Sequence, residues 1–138
     1  MVSRKERLAF CFGMIGKEFK KSACGSEDFP KNFSIKDVAV ITLLGEVPMM
    51  MSELADELSL TPGTMTTKVD NLIKKKIVER AFDKEDRRKV FIQLAKKGEK
   101  ICEAIMKGQL EMSGKLLKKL TTEEQEIYVT LTEKLVSK

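Results

Sequence analysis

The sequence predicts a mainly α-helical chain interrupted by one small β-hairpin. Three observations predict it: apolar residues recur at helical spacing over most of the chain, two short alternating runs flank the charged stretch DKEDRRK, and only three prolines break the pattern. At 138 residues, with 42% hydrophobic and 34% charged residues, the chain is long enough for a single domain (1–138) and has too many apolar residues for disorder.

Leu8, Phe12, Ile15 and Phe19 stand three or four residues apart, so residues 4–21 form a first helix that ends at CGSEDFPKNF. LAFCFGMIG after SRKER has the look of a short export segment. KEFKKSACG, however, follows with charge and no small-residue cleavage site, which favours a buried first helix. No run reaches the roughly 20 apolar residues of a membrane span, so no membrane partner is expected and the cytoplasm is the expected location.

Ser34 and Asp37 form a capping box for a second helix carrying Val38, Ile41, Thr42 and Leu44 up to Gly45, with a turn at Pro48. MSELADELSL is a third helix with Leu54, Ala55 and Leu58 facing inward. Met50 and Met51 are poor caps, so Ser52 is the expected one. Thr61 followed by Pro62 opens a fourth helix, because the hydroxyl accepts from free N–H groups and proline has none to waste in the first turn. Met65, Val69, Leu72 and Ile73 give that helix a buried face. Thr64, Thr66, Thr67, Lys68 and Asn71 therefore fall on the other.

IVERAF and VFIQL make the hairpin, with Val90, Ile92 and Leu94 inward and Phe91 and Gln93 outward. From Lys96 a long helix carries Ile101, Ile105, Met112 and Leu116, with Cys102, Leu110 and Leu117 beside them. Thr121 and Glu124 then cap a last helix bearing Ile127, Leu131 and Leu135. Three short helices followed by a hairpin describe a winged helix-turn-helix, six helices in all.

Charge is unevenly spread. Residues 61–100 hold 12 Lys/Arg against 6 Asp/Glu, which leaves 14 against 15 for the rest, so the net +5 arises there. Such a field suits an anionic partner, and double-stranded DNA fits it best: hydroxyls and a threonine methyl at the front of the fourth helix suit a groove, and Arg87 and Arg88 on a narrow tip can reach a minor groove. Asp86 beside them reads as an orienting ion-pair partner for one arginine. The candidate DNA contacts are Thr61, Gly63, Thr64, Thr66, Thr67, Lys68, Asn71, Lys75, Arg87, Arg88 and Lys89. An enzyme is disfavoured, because histidine is absent and no Gly-rich phosphate loop appears. Cys11, Cys24 and Cys102 are widely spaced, so no metal site or cofactor is expected and all three read as structural. A winged helix used purely for protein docking is the alternative.

SELADELSLTPGTMTTKVDNLIKKKIVER and DKEDRRKVFIQLAKKGEK resemble the MarR family of bacterial transcription regulators. The resemblance implies a homodimer on a pseudo-palindromic operator, with residues 34–95 as the DNA-binding lobe, 1–24 and 97–138 as dimerisation helices, and repression as the expected output. Thr67 and Lys68 stand where many relatives have an arginine and an apolar residue, which implies a different operator. The resemblance also implies a small-molecule effector or, through Cys11, an oxidant. Cys11 is thus a redox candidate, although the only tyrosine is Tyr128, whereas the peroxide-sensing branch activates its thiol with tyrosines. SIKDVAVITLLG and TPGTMTTKVDNL are similar to the branch controlling fatty-acid synthesis genes, which implies an acyl-carrier effector. Met49 to Met51 are candidates for a pliable pocket, gap-filling core being the commoner use.

Overall fold

The computed structural model describes residues 2–24 and 32–137. The elements run α1 (Arg4–Cys24), α2 (Ile35–Glu46), β1 (Met49–Met50), α3 (Met51–Glu57), α4 (Pro62–Lys74), β2 (Val78–Phe82), β3 (Val90–Leu94), α5 (Lys96–Leu117) and α6 (Thr122–Val136). Two compact units result: Ala23–Lys107, and Met1–Ser22 with Gly108–Lys138. The division falls inside α5 instead of before it, because Ile101, Cys102 and Ile105 belong to the core of the first of these units.

That core also holds Val40, Ile41 and Leu44 of α2, Leu54 and Ala55 of α3, Met65, Val69 and Leu72 of α4, and Ile77, Val78 and Ile92 of the sheet region. Each large side chain fully buried there contributes on the order of 1.5–3 kcal/mol. The Ser34–Asp37 capping box forms, with Ser34 N–H donating to Asp37 Oδ2 at 2.8 Å and Asp37 N–H to Ser34 Oγ at 3.2 Å.

The sheet has three antiparallel strands in the order β1-β3-β2, one more than the expected hairpin. β1 is two methionines pairing Met49 with Ile92 and Met50 with Phe91, a length and composition that leave no period to read. Phe91, expected to face away, is half-buried, opposite Met50 on one side and Ala81 on the other. Gln93 pairs with Glu79 across the hairpin and donates to its carboxylate at 2.8 Å. Met49 and Met51 pack on the core.

Ser52 is not the cap of α3. Met50 is, and with no side-chain oxygen to offer there, the start is secured from the other direction, Glu53 Oε2 accepting from the Met50 N–H at 2.7 Å. Both α3 and α4 end in Schellman motifs. Leu60 N–H reaches Ala55 O and Ser59 N–H reaches Asp56 O, while Ile77 N–H reaches Leu72 O and Lys76 N–H reaches Ile73 O. Ser59 (φ 50°) and Lys76 (φ 59°) thus occupy the left-handed position that usually takes glycine. Where α5 begins, Gly98 lies so close to β2's entry that a Cβ there would strike the Ile77 carbonyl.

In the other unit α1 and α5 approach closely at Gly108, whose carbonyl accepts from Ser22 Oγ at 2.9 Å. Thr121 caps α6 with Glu124, as the sequence indicates. The expected burial of the first helix does not occur among the described residues: Leu8, Phe10, Phe12 and Met14 are exposed, as are Leu110, Ile127, Leu131 and Leu135, because none of the described residues covers them. Cys11 is likewise exposed and not the buried structural residue expected. Cys102 is buried, and burial together with the nearby carboxylates of Glu46 and Glu103 pushes its thiol above the ordinary range. The side chain of Cys24 lies outside the described residues. None of the described helices is long and apolar enough to cross a membrane.

Candidate nucleic-acid interface

α4 begins where Thr61 Oγ1 accepts from Thr64 N–H at 3.2 Å and Pro62 takes the first helical position. Thr64, Thr66, Thr67 and Asn71 are all exposed on the side away from Met65, Val69 and Leu72. Gly63 is exposed, and a Cβ there would meet nothing within 4 Å. The chain itself therefore does not require a glycine at that position, although glycine in a helix costs about 0.5–1 kcal/mol relative to alanine.

Lys68 departs from the expected pattern. Its Nζ lies 2.8 Å from Asp37 Oδ1 and 3.3 Å from Ser34 Oγ, and most of its side chain is shielded from solvent. The reason is geometric: Lys68 sits at the flank of α4 beside the N-terminus of α2, where a carboxylate already serves as a cap. Burial alone would raise the Asp37 carboxyl, but hydrogen bonds from Lys68 and Ser34 outweigh it and hold it below its ordinary value. On the opposite flank Asp70 accepts from Arg80 of β2 at 2.9 Å. Lys75 follows α4, its Nζ 5.1 Å from the Phe33 ring centroid, and Lys97 Nζ donates to the Lys75 carbonyl at 3.4 Å.

The hairpin tip is built by two aspartates. Asp83 Oδ1 accepts from the backbone N–H groups of Asp86 (3.0 Å) and Glu85 (2.8 Å), and these bonds hold its carboxyl below the usual range. Asp86 Oδ1 accepts from both the N–H (3.1 Å) and Nε (3.2 Å) of Arg88, the pairing the sequence suggested for one of the two arginines. Arg87, Arg88 and Lys89 are exposed. Sequence reasoning missed Asp83. Its signal was an aspartate two and three residues ahead of N–H groups in a turn, a spacing typical of an Asx turn. The Asp70–Arg80 pair, ten residues apart on different elements, left no periodic trace.

Helices α2 to α4 followed by a hairpin with an exposed arginine tip define a winged helix-turn-helix domain. Residues 38–90 match the family model described as MarR family. The chain belongs to the MarR family, whose members are transcriptional regulators. It is similar to the structure of Streptococcus pneumoniae FabT in complex with DNA, at 30% identity and TM-score 0.78 over 95% of this chain and 91% of that one. It also resembles S. aureus MepR bound to ethidium bromide, at 26% identity and TM-score 0.66 over 92% and 93% of the two chains. Over 87 residues it is 28% identical to the HTH-type transcriptional repressor MdtR of Bacillus subtilis, covering 63% of this chain and 56% of the relative. Among such curated relatives the matched stretch spans from 51% to 61% of their length.

Proposed function

We propose that this protein is a sequence-specific double-stranded DNA-binding regulator that works as a homodimer on a pseudo-palindromic operator, probing the major groove with α4 and the minor groove with Arg87 and Arg88. The observation that carries this reading is the front of α4: exposed threonines and asparagine around a glycine that the fold itself does not need, as a surface must be if a second body is to approach its backbone. Helix N-terminal N–H groups add an attraction for phosphate. Asp83 and Asp86 support preorganisation of the arginine tip, where the narrow groove's potential favours guanidinium. The relative crystallised with DNA agrees with this reading.

Pairing of two copies is supported by the large apolar side chains that α1 and α6 leave exposed, since clustered exposed apolar residues mark interaction surfaces. Repression is supported by the similarity to the transcriptional repressor MdtR, and modulation by a small molecule by the ethidium-bound relative. A cytoplasmic location follows from a chromosomal target.

Titration of a labelled operator, selected from genomic fragments, tests the proposal. Affinity should fall linearly with log[salt], with a slope near −0.9 for each phosphate contacted. A salt-independent interaction, or none with any duplex, would point to protein docking instead.

A further inference from the structure

Resting on the DNA-binding reading, a finer property of α4 follows from where its polar hydrogens go. Thr66 Oγ1 donates to the Pro62 carbonyl at 2.9 Å, and Thr67 Oγ1 donates to the Gly63 carbonyl at 3.1 Å. A hydroxyl carries one hydrogen and two lone pairs. With that hydrogen spent inside the helix, both side chains present outward only acceptor lone pairs and a methyl group. Thr61 Oγ1 likewise donates inward, to Thr64 Oγ1 at 2.8 Å, which leaves Thr64 with the remaining threonine hydrogen on this face. Charge is withdrawn as well, since Lys68 is turned to Asp37 and Asp70 to Arg80. The surface that Thr61, Thr66 and Thr67 present is therefore neutral, methyl-bearing and poor in donors, the Thr64 hydroxyl and the Asn71 amide being the donors nearby.

We propose that Thr66 and Thr67 are specificity-determining residues that select A·T pairs, chiefly by packing their methyl groups on the thymine C5-methyl. Both A·T and G·C pairs display one amino donor in the major groove, so an acceptor hydroxyl does not separate them. The thymine methyl does, because only A·T carries it and only an apolar group rewards its burial. Each pair likewise displays two acceptors there, so the donors that these residues have committed leave the methyl as the discriminating group.

The experiment takes the operator selected by the full-length protein from random duplexes and replaces its thymines one at a time by deoxyuridine, which deletes the methyl alone. At the thymines facing α4 the parent should lose about threefold to fivefold in affinity per methyl. Thr66→Val and Thr67→Val, which keep the methyl, should retain that loss, whereas Thr66→Ser and Thr67→Ser, which lack it, should become indifferent. The proposal is overturned if deoxyuridine costs nothing at any position, or costs the serine variants as much as the parent, while sequence-specific binding persists. If selection yields no preferred sequence, the DNA-binding reading fails and takes this one with it.

Discussion

Lys68 of α4 donates to Asp37 of α2 at 2.8 Å, with the two side chains only 18% and 15% exposed. The carboxylate that caps one helix thus also anchors the helix proposed to read DNA. Because the folded Asp37 carboxyl lies below its ordinary value, its stabilisation is complete above the unfolded value and fades as pH falls through the folded one. Urea midpoints measured from about pH 5 down to pH 2 should fall more steeply for the parent than for Asp37→Asn, a window set by the ordinary carboxylate value near 4. Lys68→Met should cost about 1–2 kcal/mol at pH 7, between an exposed and a buried pair. Equal slopes for parent and Asp37→Asn would show that the pair stores nothing.

Two glycines should respond oppositely to alanine. Gly98→Ala forces a methyl onto the Ile77 carbonyl and should destabilise by about 2–3 kcal/mol. Gly63→Ala meets open space and should stabilise by about 0.5–1 kcal/mol while weakening operator binding. Thermal melts and a binding titration on the same samples check both.

Ser59 and Lys76 hold left-handed backbone angles that a side chain disfavours. Ser59→Gly and Lys76→Gly should each gain about 1 kcal/mol in chemical denaturation. A loss in either would mean that its side chain is worth more than the strain.

At the wing, Arg88→Ala should weaken operator binding and reduce the salt slope by about 0.9. Asp83→Ala separates preorganisation from simple charge. Removing a negative group near DNA should tighten binding if charge alone matters; weaker binding is expected, because Asp83 fixes two backbone N–H groups of the tip.

Sedimentation at micromolar concentration should show paired chains. Leu131→Glu with Leu135→Glu should give single ones, since both leucines are more than half exposed in one chain.

Much of the architecture was legible because it is periodic or punctuated. The stripe Met65–Val69–Leu72, the caps at Ser34, Thr61 and Thr121, and the alternation around Ile92 each follow from local chemistry. What escaped was non-local. β1 exists only because β3 offers it an edge, Lys68 leaves the polar face only because Asp37 stands beside it, and Cys11 is exposed because none of the described residues covers it. Arg87, Arg88 and Asp86 were legible as a cluster, but the tip folds around Asp83 through backbone N–H groups, which every residue type shares and which leave no mark on the composition.

The uncovered leucines of α6 carry a genetic corollary. If chains pair as proposed, a copy that keeps them but carries a disabled α4 would still recruit intact siblings into mixed pairs with only one working half. Co-expression should therefore poison the normal protein in proportion to the variant's dose, a dominant-negative effect that requires no competition for the operator.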